Sequence, residues 1–154
     1  VGAATEVEMI EKKHRIDDAL EAVRSAQEEG IVAGGGAALI HSCTPLYQAI
    51  QTPNDEEYSD FTDDEMLGAK IVLKACESPL RQMSANADKS PDIIVETVKG
   101  ATGKDWGYNF VTDKVCCLTD DGVIDPVKVT RVALENAVSV GSTLITTGHA
   151  IVTD

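Results

Sequence analysis

RIDDALEAVRSAQEEGIVAGGGA, running from Arg15 to Ala37, is the stretch from which the rest of the chain is read. Ile16, Leu20 and Val23 recur at helical spacing, and Ala19 and Ala26 widen that stripe toward a partner. Asp18 falls on the opposite face with Arg15, Ser25 and Glu29, where a side chain meets solvent or a transient contact. Gly30 suits the residue after a helix because a left-handed turn there costs no Cβ clash. Gly34, Gly35 and Gly36 then precede a second helical run from Ala37. Two readings of them stay open, close packing of backbone on another element or free N–H groups offered to a phosphate. No Gly-Lys-Ser/Thr follows, and no GxGxxG fits the register.

Working outward toward the N-terminus, Val1 to Val7 reads as strand, whereas Thr5-x-x-Glu8 reads as a capping box. Glu28 and Glu29 crowd the negative end of the first helix, which predicts a weak last turn. Toward the C-terminus, a Ser, Thr or Asp precedes proline at Thr44-Pro45, Ser78-Pro79, Ser90-Pro91 and Asp125-Pro126, and each reads as a cap with proline at the first helical position. Thr62-x-x-Glu65 is a further capping box, followed by an inward stripe of Met66, Ala69, Val72, Leu73 and Cys76. The helix from Pro79 is expected to end before Asp88 and that from Pro91 at Gly100. TPNDEEYSDFTDD, residues 52 to 64, lacks the calcium-loop pattern and reads as a solvated acidic loop. Glycine, aromatic and β-branched residues from Ala101 to Asp125 predict a small β-hairpin around Tyr108 to Leu118. The last helix, about Pro126 to Thr146, is apolar or small on most faces beyond Asn136, the pattern of a helix covered all round. Ala150 to Thr153 reads as a short strand.

The chain has 154 residues and a net charge of −13, with a sequence pI near 4.5. Such a balance argues against nucleic acid or an anionic membrane as partners, since phosphate-binding surfaces need clustered Lys and Arg. No apolar stretch approaches a membrane span. The expectation is a soluble protein of the cytoplasm or an organelle matrix. Cys43, Cys76, Cys116 and Cys117 form no CxxC pair and have no His at zinc spacing, so reduced thiols and no metal site are expected.

RIDDALEAVRSAQEEGIVAGGGAALI closely resembles the corresponding segment of the GroEL-type, group I chaperonins. So do VGAATEVEM at the start, SPLRQM at 78 to 83, WGYN at 106 to 109, IDPVKVTRVAL at 124 to 134, and LITT and IVTD near the end. The resemblance implies a mainly α fold: a multi-helix equatorial-domain segment with a small β-hairpin and short terminal strands. It places residues 1 to 30 in the intermediate domain, with a strand and hinge before a helix that starts near Ile10, and residues 31 to 154 in the C-terminal half of the equatorial domain. It implies ATP with Mg2+ as cofactor of the parent protein, and other subunits, a co-chaperonin and unfolded proteins as partners. Asp18 would position the hydrolytic water. Gly35, Asn109, Phe110, Val111, Val123 and Asp125 would line the nucleotide.

Asn109 carries an amide that can both donate to and accept from a base edge, and Asp125 a carboxylate that can accept from ribose hydroxyls. Asp125 is also expected to cap the last helix. The family usually has two alanines where Phe110 and Val111 stand, so either these larger side chains turn away or the adenine wall is altered. The family's phosphate-binding loop, magnesium ligand, substrate-binding domain and tail match nothing in residues 1 to 154, so the segment alone is expected to be neither an ATPase nor a foldase. The alternative is a divergent, noncatalytic module that keeps the equatorial fold for assembly, and the isolated chain is expected to self-associate.

Overall fold

A computed structural model describes residues 2–51 and 61–151. The order of elements is α1 (Glu6–Glu29), β1 (Ile31–Ala33), α2 (Ala37–Gln51), α3 (Asp63–Cys76), α4 (Ser78–Asn86), α5 (Pro91–Lys99), β2 (Trp106–Asn109), β3 (Lys114–Cys117), β4 (Ile124–Pro126) and α6 (Val127–Thr146). The mainly α expectation holds, with two small two-stranded sheets, β1 with β4 and β2 with β3. The chain divides into two compact units, one of Val1–Gly30 with Pro126–Asp154 and one of Ile31–Asp125.

In the first unit the helix begins at Glu6, earlier than the expected Ile10, and no strand precedes it among the described residues. The capping chemistry decides this: Thr5 Oγ1 accepts from the Glu8 N–H at 3.3 Å, while the Glu8 carboxylate accepts from the Ala4 N–H at 3.1 Å. Gly30 closes the helix at the expected residue, but with φ +86° and ψ −166° it adopts an extended conformation open to glycine and not the expected left-handed turn. In the last turn α6 answers the acids: Lys128 pairs with Glu28, and Arg131 grips Glu29 through two nitrogens at 2.6 and 3.0 Å. The Arg131 guanidinium holds the Glu29 carboxyl below the usual carboxylate range. Neither α1 nor α6 contains a buried residue, so the expected all-round cover of α6 is not found. Ala150 and Ile151 are not strand, and the rest of the strand expected to Thr153 lies outside the described residues.

In the second unit the core joins Ala37 and Ile40 of α2, Leu80 of α4, Ile94, Val95 and Val98 of α5, and Leu118 after β3. The hairpin forms as expected but starts two residues early, with Trp106 opposite Cys117 and Asn109 opposite Lys114. Gly107 is required there, since a Cβ would sit 2.4 Å from Leu118 Cδ1 and 2.8 Å from the Ala37 Cβ. Thr62 and Glu65 make the reciprocal capping box, and the α3 stripe faces inward. Most of the acidic loop, 52–60, lies outside the described residues.

Three of the four proline starts differ from expectation. Pro45 lies inside α2, where Thr44 is no cap and its hydroxyl donates to the Ile40 carbonyl at 3.0 Å. Ser78 is already helical, because α3 and α4 meet at Glu77, which is αR and serves both ends. Asp125 lies in β4, and α6 starts after Pro126 with no side-chain cap; the Val127 N–H is met instead by the Gly30 carbonyl at 3.1 Å. Ser90-Pro91 alone opens its helix at the expected residue, without a side-chain hydrogen bond.

Candidate functional site

The three glycines make a tight turn between β1 and α2, and each has its own reason. The Gly34 N–H donates to the Val123 carbonyl at 2.9 Å, and a Cβ at Gly34 would lie 3.1 Å from that oxygen and 3.2 Å from the Ile124 nitrogen. Gly36, at φ +75°, would press a Cβ to 3.2 Å from the Leu80 nitrogen. Gly34 and Gly36 are therefore packing glycines. A Cβ at Gly35 would make only ordinary contacts, at 3.9 Å from Leu118 Cδ1 and the Tyr108 carbonyl, so it is the backbone, at φ +61°, that requires glycine. The Ala37 N–H returns to the Gly34 carbonyl at 3.1 Å, and among the described residues the amides of Gly35 and Gly36 meet no backbone acceptor. The packing reading holds at Gly34 and Gly36.

Val123 is half-buried and packs against the core beside this turn. Two residues on, Asp125 is half-buried in β4, and its carboxylate makes no hydrogen bond or ion pair among the described residues. Burial raises its pKa above the ordinary aspartate value, the response of an anion losing water without gaining a partner. A carboxylate in that condition is ready to accept from hydroxyl groups.

Asn109 is differently placed. It is 7% exposed, its Oδ1 accepts from the Val111 N–H at 2.9 Å and the Thr112 N–H at 3.3 Å, and its Nδ2 donates to Asp121 at 2.9 Å. The amide shapes the hairpin loop, as Asn commonly does in turns, and both of its ends are engaged. Asp121 also accepts from the Cys116 thiol at 3.0 Å, and these two bonds lower its pKa. Asp121 is a partner the sequence reading does not name; the available signal is an acid twelve residues beyond an asparagine, across a hairpin. Phe110 packs against the core and meets Tyr108 edge to face at a centroid distance of 5.0 Å, while Val111 is 94% exposed. Val111 therefore points to solvent and Phe110 into the core beside Tyr108.

In the second unit Gly35 thus lies beside Leu118 and the Tyr108 carbonyl, the Val123 N–H donates to the Leu118 carbonyl, Phe110 packs against the same core, and Asp125 lies in β4 two residues beyond Val123, while Asn109 is turned into the hairpin loop. Asp18 belongs to the first unit, exposed on α1, with no hydrogen bond or ion pair among the described residues. A cavity of about 170 Å³ lies elsewhere in the second unit, between α2, α3 and Lys99, and none of the expected site residues lines it. No cluster of three or more His, Cys, Asp or Glu side chains among the described residues could hold a metal ion, and no helix is long and apolar enough to cross a membrane. The collinear motifs, the mainly α architecture and a match of the TCP-1/cpn60 chaperonin family model over residues 1–154 agree, and the chain belongs to that family.

Proposed function

We propose that this chain is the C-terminal part of a group I, GroEL-type chaperonin subunit, with residues 1–30 from the intermediate domain and 31–154 from the equatorial domain. In the parent protein it would serve ATP-driven folding of other proteins inside stacked rings, together with other subunits and a co-chaperonin. The observation that carries the reading is the half-buried, unpartnered Asp125 on the strand beside the Gly34–Gly36 turn, whose amides at Gly35 and Gly36 lack backbone acceptors.

These groups suit a nucleotide. Backbone amides donate to phosphate or ribose oxygens, and an unpaired carboxylate accepts from two hydroxyls. A bound nucleoside triphosphate with Mg2+ would supply the phosphoanhydride to be cleaved. Within this chain Asp18 orients the attacking water through its free carboxylate, Asp125 and Gly35 hold the sugar and neighbouring oxygens, and Val123 forms an apolar wall.

Asn109 and Phe110 favour the second reading, a noncatalytic assembly module, because an amide satisfied at both ends offers little to a base and the phenyl ring occupies space an alanine leaves open. Turnover and affinity in the full-length parent separate the two. Asp18→Asn should lower ATP turnover by roughly a hundredfold, about 3 kcal/mol of transition-state stabilisation, with ATP affinity retained. Asp125→Ala should weaken nucleotide affinity by about tenfold or more, the loss of hydrogen bonds to a charged acceptor. Unchanged turnover in Asp18→Asn would remove the catalytic assignment. A parent that binds no ATP would leave the assembly module.

A further inference from the structure

The cavity of about 170 Å³ in the second unit is apolar over most of its wall and electrically closed at its polar end. Ile40, Cys43 and Tyr47 line it from α2, and Leu73 and Cys76 from α3. Ile40, Leu73 and Cys76 are buried, and burial pushes the Cys43 thiol up to about 12, so its sulfur is a neutral part of the wall. The Thr44 hydroxyl is spent on the Ile40 carbonyl at 3.0 Å. At the polar end Glu77 is met by Lys74, Arg81 and Lys99, while Arg81 also pairs with Asp92 and Lys99 with Glu96. Three cations therefore meet three carboxylates, and the cluster leaves no charge over for a guest. The Lys99 ammonium also lies 4.9 Å from the centre of the Tyr47 ring.

We infer that this cavity is a binding site for one small neutral aromatic molecule, of a single ring or two fused rings. The inference does not depend on nucleotide binding. Size sets the first limit, because an apolar cavity of about 150 Å³ is enough to hold benzene. Polarity sets the second. No buried side-chain nitrogen or oxygen among the described residues lacks a hydrogen-bond partner, so the wall has no stranded polar group to anchor an ordered water. An apolar guest that displaces poorly ordered water gains affinity, whereas a charged one would shed its hydration with every opposite charge already paired.

The wall also selects an aromatic ring over an aliphatic one of the same volume. Tyr47 offers a ring for stacked or edge-on contact, and Cys43 and Cys76 offer polarisable sulfur. A guest has a way in, since an adjoining depression of about 280 Å³ shares Tyr47, Leu73 and Glu77 with the cavity and adds Ile50 and Lys70.

The experiment titrates the native chain with benzene and with indole and follows the side-chain methyl groups by NMR. Cyclohexane, benzoate and benzylamine are the comparison probes. Benzene or indole should bind one-to-one with a Kd at or below about 1 mM, shifting the Ile40 and Leu73 methyls. At ten times that concentration the midpoint of thermal unfolding should rise by about 4 °C. Cyclohexane, benzoate and benzylamine should each bind at least about tenfold more weakly. Cys43→Leu puts a larger side chain into the space and should weaken benzene binding about tenfold while the chain stays folded. Shifts that do not saturate, shifts centred on the exposed Leu144 and Ile145 instead of the cavity, equal binding of the comparison probes, or unchanged affinity in a folded Cys43→Leu would overturn the inference. The first two readouts need no variant, so they decide the matter even where Cys43→Leu does not fold.

Discussion

At Glu77 and Asp125 the fold moves two carboxyl groups in opposite directions. Glu77 is 5% exposed, and burial alone would raise its pKa, yet hydrogen bonds from Lys99, Arg81 and Lys74, at 2.8, 2.9 and 3.3 Å, lower it from 4.5 to about 2. Its folded pKa lies below its unfolded one, so its contribution is complete above pH 4.5 and is lost as pH falls toward 2. Urea unfolding across that range should show a steep acid limb, flattened in Glu77→Gln. The variant should also lose on the order of 2 kcal/mol at pH 7, because the buried carboxylate's charge-assisted hydrogen bonds are weakened while Arg81 keeps Asp92 and Lys99 keeps Glu96. Asp125 behaves conversely: its carboxyl holds a proton more tightly in the fold than in the unfolded chain, so its charge opposes folding above its raised pKa. Asp125→Asn should therefore raise the melting temperature at pH 7, with the gain vanishing as pH falls and Asp125 protonates in both states. No cap is lost, because Asp125 is not one. A lower melting temperature at pH 7 would mean that the carboxylate has a stabilising partner.

Among the elements, α2 carries the most evident local conflict. Pro45 has no N–H for the His41 carbonyl, and its ring crowds the preceding turn, yet the helix runs through to Gln51. Packing outweighs this: Ile40 is in the core, and His41 Nε2 lies 2.6 Å from the Trp106 carbonyl, tying α2 to β2. Pro45→Ala restores the missing bond on an exposed turn and should stabilise the chain by about 2 kcal/mol in denaturant unfolding. A destabilised variant would show that the proline's stiffening of the unfolded chain outweighs the missing bond. The same contest explains which elements were legible. Thr62 with Glu65, Ser90 with Pro91 and the α3 stripe could be read because local chemistry and burial agree there. Thr44, Ser78 and Asp125 look equivalent in sequence, but contacts from residues distant in the chain act near each boundary: Trp106, Lys99 on Glu77, and the Gly30 carbonyl.

Across the whole molecule, the family and the glycine turn were readable because short motifs carry them. The engagement of Asn109 was not, because it depends on Asp121 crossing the hairpin, a pairing fixed only by the register of β2 on β3. The exposure of α6 has a further consequence. Val138, Val140, Leu144 and Ile145 are exposed along its second half, Leu144 at 69% and Ile145 at 82%, and Ile151 follows. Large apolar side chains exposed on opposite sides of one helix are unusual on a soluble monomer and favour association. The net charge of −13 opposes it, because two copies repel over the Debye length, about 8 Å at physiological ionic strength. Self-association of the 154-residue chain should therefore rise with protein concentration and rise further with added salt, the reverse of an ion-paired interface. Sedimentation velocity over a concentration series at low and high salt measures both dependences. Leu144→Asp with Ile145→Asp should restore the monomer at little cost to folding, since both side chains are already in water. A wild-type chain that stays monomeric at high salt and high concentration would mean that α6 is covered by the chain's own residues.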